Sequence, residues 1–167
     1  MLIVNNKRIL SFILIVLLFV LTINNVGYSD DEGLRIKGLC YEIESYINAL
    51  VEYTNTKCLA GAGEQKGTIG LILVSEKPIF AKEIAKKGWL IVVVGAVGKI
   101  ISENPNSKIE TIVVCDVNML AQRKAFSFPG ILANNLQQKA YNGEINIEQL
   151  YKQLIASLKE YSIPDNK

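Results

Sequence analysis

The stretch Gly88-Trp-Leu-Ile-Val-Val-Val-Gly-Ala-Val-Gly-Lys-Ile-Ile101 decides how this chain folds. From Trp89 to Val97 it carries no polar side chain, so in a water-soluble domain it must be covered on every side. Two conformations satisfy that demand. One long helix over about Glu76–Glu103 is favoured by the apolar spacing Ile84, Trp89, Val92, Ala96, Val97 and Ile100. A helix ending at Lys87, a strand over Trp89–Val94 and a second helix from Ala96 are favoured by the β-branched run and by Lys-Lys-Gly as a stop signal. The continuous helical spacing tips the balance to the helix, and Asn104-Pro105-Asn106-Ser107 ends the element either way.

Around this centre the chain supplies amphipathic cover. Ile36, Leu39, Cys40, Ile43, Ile47, Leu50 and Val51 recur every three or four residues, predicting a helix over 34–54 with Glu42, Glu44, Asn48 and Glu52 facing away. Thr68–Val74 is an apolar, β-branched run that reads as a buried strand, with Ser75 placed to cap the following helix. Lys108–Val117 and Arg123–Phe128 alternate as strands do, and their short link predicts an antiparallel pair. Pro129-Gly130 opens a helix through Tyr141. Asn146 with Gln149 then caps a last helix whose stripe is Ile147, Leu150, Tyr151, Leu154, Leu158 and Tyr161. The expected fold is a two-layer α+β domain over 30–167, with a small sheet of three to four strands against four helices, one of them long and central.

The first 29 residues read as a secretory signal peptide. Lys7 and Arg8 precede a run, Ile9–Ile23, that is apolar apart from Ser11 and Thr22; small residues at Gly27 and Ser29 place cleavage after Ser29. Fifteen residues of helix span about 22 Å against the ~30 Å of a bilayer core, which disfavours the alternative of an N-terminally membrane-anchored domain. Export, periplasmic or extracellular, is the expectation, with membrane contact only through an uncleaved segment. All 16 acidic residues and 16 of the 18 basic ones follow position 29, so the mature chain carries no net charge. That excludes a nucleic-acid binder, which must neutralise several phosphates.

The chain has no histidine, which removes the commonest general base, the serine and cysteine triads and most zinc and copper sites. No metal or cofactor site is expected. The Gly-rich segment Ala60–Gly67 fails as a phosphate loop because Lys66 precedes the last glycine and a strand, not a helix, follows. Glu42 and Glu44 diverge by about 200° on a helix and cannot act as a carboxylate pair. Three weak candidates remain. Asp116 ends a strand, where open sheets place functional groups, though a capping role suits it better. Lys99 closes Gly95-Ala-Val-Gly, which would present N–H groups to an anion only if the strand reading held. Arg123, with Lys124, Tyr141 and Gln137-Gln138-Lys139, can form a polar contact surface.

In an oxidising compartment the three cysteines invite a disulfide. A helix carrying Cys40 leads the chain ~20 Å away before Cys58, far beyond the Cα separation of about 4.4–6.8 Å that a disulfide spans. Cys115 with Cys58 or Cys40 is therefore the expected pairing, against three buried, reduced thiols. The function that follows is an exported, non-catalytic domain contacting a protein or envelope component. The alternative is a histidine-less enzyme using a free cysteine nucleophile or the Gly-rich anion turn.

Overall fold

The computed structural model describes residues 31–51, 55–61, 65–75 and 79–163, so residues 1–29, expected to be a signal peptide, lie outside the described residues. The described residues form a five-stranded sheet covered on one face by four helices. Helix α1 (Asp31–Leu50) leads into the hairpin β1 (Asn55–Ala60) and β2 (Thr68–Val74). Helix α2 (Glu83–Glu103) crosses over to β3 (Thr111–Asp116), followed by the one-turn α3 (Val117–Ala121), β4 (Lys124–Pro129), α4 (Gly130–Tyr141), α5 (Ile147–Ser157) and β5 (Lys159–Ser162). Strands lie in chain order; β2 and β3 are parallel and every other pairing is antiparallel.

The deciding stretch is one helix. Its buried residues, Trp89, Leu90, Val93, Val94, Ala96, Val97, Gly98 and Ile100, occupy most of its circumference. A parallel strand pair needs a crossover, and α2 supplies it. On its own a β-branched run prefers strand, but burial of this many apolar side chains outweighs a propensity difference of about 1 kcal/mol over the whole scale. Gly88 lies inside the helix and does not stop it. The helix begins at Glu83, with Lys82 as N-cap, so Ser75 does not cap it. Ile84 is solvent-exposed and lies outside the buried stripe expected for it.

Alternation in the strands divides the apolar side chains between two faces. Ile69, Leu71, Leu73, Ile112, Val114 and Phe128 join the helices in the main core. Ile72, Val113, Cys115 and Ala125 form a smaller cluster on the far face, with Met119 and Leu120 of α3 packed against it. Trp89 is buried in the main core; its Nε1–H donates to Thr56 Oγ1 at 3.2 Å, and its ring meets Phe80 edge-on with centroids 5.5 Å apart.

The sheet has five strands against the three to four expected, and two of them, β1 and β5, fall where no strand was expected. β1 follows α1 directly, and β5 takes the residues assigned to the end of the last helix: that helix stops at Ser157, Leu158 turns extended, and Lys159–Ser162 pair with β4. Ile147, expected in the buried stripe, is exposed, whereas Leu150 and Leu154 are buried. The Asn146/Gln149 capping box forms in both directions.

Helix α2 packs most closely on α4, and Gly98 permits it. A methyl group there would sit 2.6 Å from the Ala133 carbonyl oxygen and 2.5 Å from Gln137 Cβ. At Gly95, one turn earlier, a methyl group would meet nothing within 4 Å. Opposite outcomes follow for the same substitution. Gly98→Ala should lower the urea midpoint by an amount equivalent to about 1–3 kcal/mol of overpacking. Gly95→Ala should raise it by about 0.5–1 kcal/mol through helix propensity alone. Equal effects would mean that α2 does not approach α4 at Gly98.

Candidate functional site

The three candidate residues fall in different places. Asp116 is buried at the end of β3, and its carboxylate is fully engaged in building the fold. Oδ1 accepts the Met119 N–H at 2.9 Å, capping α3, and Oδ2 accepts the Phe80 N–H at 3.1 Å, tying down the approach to α2. Arg123 is exposed in the turn between α3 and β4, at φ 55°, with its carbonyl accepting the Ile163 N–H at 3.1 Å. Lys99 lies towards the C-terminal end of α2. The anion turn proposed for Gly95–Lys99 does not exist, because these residues are helix interior and offer no free helix N-terminus.

Lys99 instead belongs to a groove of about 800 Å³ between α1, α2 and α4. Tyr46 and Leu50, one turn apart on α1, form one wall; Gln137, Gln138 and Tyr141 of α4 form the other. Ile91, Val92 and Gly95 of α2 lie between them. Lys99 Nζ sits 5.1 Å from the centre of the Tyr46 ring and 3.5 Å from Glu103 Oε1, so its charge is met inside the groove. Tyr46, Leu50 and Tyr141 are three of the seven exposed large hydrophobic side chains among the described residues, and all three line it. Of the polar contact surface expected from sequence, the Gln137, Gln138 and Tyr141 part lies here; Arg123 and Lys124 do not.

None of the thiols is poised for nucleophilic chemistry. All three are free and buried. Burial, with the Asp116 charge adding to it, pushes the Cys115 thiol up to about 12. Cys58 is raised as well, by burial first, then by its hydrogen bond to the Cys40 thiol and by the charges of Cys40 and Glu44. A reactive cysteine needs the reverse, an exposed site with a cation or helix N-terminus beside it. The disulfide expected for Cys115 is not formed. Cys115 stands opposite Ile72 on the far face of the sheet, whereas Cys58 stands opposite Leu71 on the helical face.

Among the described residues no cluster of three or more His, Cys, Asp or Glu is placed to hold a metal ion. Nor is any helix among them long and apolar enough to cross a membrane. No protein-family model, curated protein or solved structure shows significant similarity to the chain.

Two measurements test this assignment of roles. Asp116→Ala removes a helix cap and leaves the part-buried Phe80 N–H without its acceptor, and should cost about 1–3 kcal/mol in denaturant unfolding. Wild-type stability despite that loss would return Asp116 to the list of site candidates. For Cys115, the folded value of about 12 lies above the 9.0 of a free thiol. Its contribution to stability is therefore complete below pH 9 and is lost as pH rises towards 12. Cys115→Ala should flatten the fall in stability over that window, seen in urea midpoints compared with wild type. Parallel curves would show that the thiol is not held protonated.

Proposed function

We propose that this chain is an exported, non-catalytic domain that works by contacting a protein or envelope component through the groove between α1, α2 and α4. The observation that carries the reading is the gathering of Tyr46, Leu50 and Tyr141 around one concave surface. Exposed apolar and aromatic side chains scattered singly need no explanation, but a contiguous set in a groove is the kind of surface a partner desolvates. Among the described residues that line it, the charged ones are Lys99 and Glu103, which sit 3.5 Å apart as an ion pair. The amides of Gln137 and Gln138 supply hydrogen-bonding groups at the rim. A partner offering apolar side chains to the floor and backbone polar groups to the rim fits this chemistry. Export rests on the N-terminal pattern of Lys7-Arg8, the apolar run and the small residues before Asp30. The absence of histidine and the burial of every thiol support a non-catalytic role.

Gly95 makes the test clean, because a side chain added there meets no neighbour within 4 Å and would project where the groove is open. The full chain would be produced in a secreting host with a photo-reactive phenylalanine analogue in place of Tyr141. The expected results are a mature chain beginning near Asp30 outside the cytoplasm and a discrete cross-linked adduct that Gly95→Leu removes without lowering the urea midpoint. A retained N-terminus in the membrane fraction would overturn export. An adduct insensitive to Gly95→Leu would overturn the groove.

A further inference from the structure

We propose that Asn142–Gly143 is a spontaneous modification site, where water converts the asparagine to aspartate or isoaspartate at the end of α4. The inference is independent of the contact reading and survives if that reading fails. Asparagine reacts according to the residue that follows it. The backbone nitrogen of that residue is the nucleophile, and a side chain on its Cα crowds the approach to the amide carbon. Glycine has none. Asn142–Gly143 is the one Asn-Gly pair in the chain, and two further asparagines precede Ala or Ser: Asn48 before Ala49 and Asn106 before Ser107. The fold holds both of these. Asn48 lies inside α1 and spends its amide on β1, where Nδ2 donates to the Thr56 carbonyl at 3.0 Å and Oδ1 accepts the Thr56 N–H at 2.7 Å. One turn back on the helix, Glu44 Oε2 accepts the Cys58 N–H at 3.1 Å, so α1 and β1 are pinned together at two points. Ser107 is buried, and its N–H donates to the Asn104 carbonyl at 2.8 Å.

Asn142 and Gly143 are both solvent-exposed. Asn142 is the C-cap of α4, and Gly143 follows at φ 75°, turning the chain out of the helix. A methyl group on Gly143 would meet nothing within 4 Å, so no neighbour packs over the turn there. Backbone bonds close it: Gly143 N–H donates to the Ala140 carbonyl at 3.1 Å and Glu144 N–H to the Lys139 carbonyl at 2.9 Å. Asn142 Nδ2 adds a bond to Glu144 Oε1 at 3.2 Å. While the Gly143 N–H is engaged its nitrogen cannot attack, so the reaction belongs to openings of this last turn, which cost little at an exposed helix end. In the open turn the Gly143 nitrogen, deprotonated by hydroxide, attacks Cγ of Asn142. A new C–N bond closes a succinimide ring, and the side-chain nitrogen leaves as ammonia, carrying the hydrogen that Gly143 gave up. Water then opens the ring. Attack at the side-chain carbonyl yields aspartate; attack at the backbone carbonyl yields isoaspartate, with the chain rerouted through the side chain. No electrons change hands. Either product sets a carboxylate at the C-terminal end of α4, where the helix dipole is negative, and removes the donor to Glu144. Asn142 also lines the groove, so its lining gains a negative charge where Lys99 and Glu103 had balanced each other.

The test incubates the mature chain in mildly alkaline buffer, folded and in urea, and follows it by peptide mass mapping. In the folded chain the peptide holding Asn142 and Gly143 should be the first to gain the mass difference between a hydroxyl and an amino group. It should separate into aspartate and isoaspartate forms. The conversion should quicken as pH rises and run faster in urea, where the Gly143 N–H is released. Asn142→Gln should abolish it, because the longer side chain closes its ring far less readily. Earlier conversion of Asn48 or Asn106 in the folded chain would overturn the proposal. So would an Asn142 that stays intact in the folded chain while the chain in urea converts fully, since the turn would then not open. Aspartate without isoaspartate would also overturn it, because the Gly143 nitrogen would not be the nucleophile.

Discussion

The structure turns on one topological requirement: two parallel strands in the middle of the sheet, β2 and β3, joined by a helix that is apolar nearly all round. A connection of that kind cannot lie on a surface. It has to be roofed, and the elements that roof it are the ones that give the molecule its second layer. The sheet takes the underside of α2, α1 packs along one flank, and α4 and α5 take the other side. Each of these helices is amphipathic because it has one face on α2 or the sheet and one in water. The close approach of α4 at Gly98 is the tightest expression of this demand.

The elements legible in the sequence were those with one buried face and one wet one. The threefold-fourfold spacing of Ile36, Leu39, Cys40, Ile43 and Ile47 marks α1, and the alternation over Lys108–Val117 marks β3 even though Ile112, Val113, Val114 and Cys115 are buried on both of its faces. The Asn146–Gln149 box names the start of α5 from two residues alone. Periodicity weakens where an element is buried all round, which is why α2 admitted a strand reading. It fails for β1 and β5, Asn-Thr-Lys-Cys-Leu-Ala and Lys-Glu-Tyr-Ser, whose polarity reflects their place at the two margins of the sheet. Glu44 and Asn48 deceived for a related reason. Polar side chains on an amphipathic helix are read as solvent-facing, yet these two lean against strand backbone.

The candidate site was less legible than the fold, and the cause is geometric. A groove is defined by what is missing from it, here a side chain at Gly95, and by neighbours drawn from three helices far apart in the chain. Tyr46, Leu50 and Tyr141 carry no motif; only their convergence makes them a surface. Asp116 shows the converse. Its position at the end of a strand suggests chemistry, but its two oxygens are spent on the N–H groups of Phe80 and Met119, so its burial is that of a structural clip.

The bonds between α1 and β1 also decide what the molecule does not become. In an antiparallel hairpin every second residue of the outer strand turns its N–H and C=O away from its partner, and such a row is a template on which another chain can grow towards a fibril. In β1 these outward groups include the Thr56 N–H and C=O and the Cys58 N–H, and Asn48 and Glu44 occupy them. At the other margin β5 is only four residues long, with Lys159 and Glu160 exposed. Among concentrated neighbours the described strands would thus offer no bare edge on which another chain could stack. The same side chains that align the hairpin with its helix keep the sheet finite.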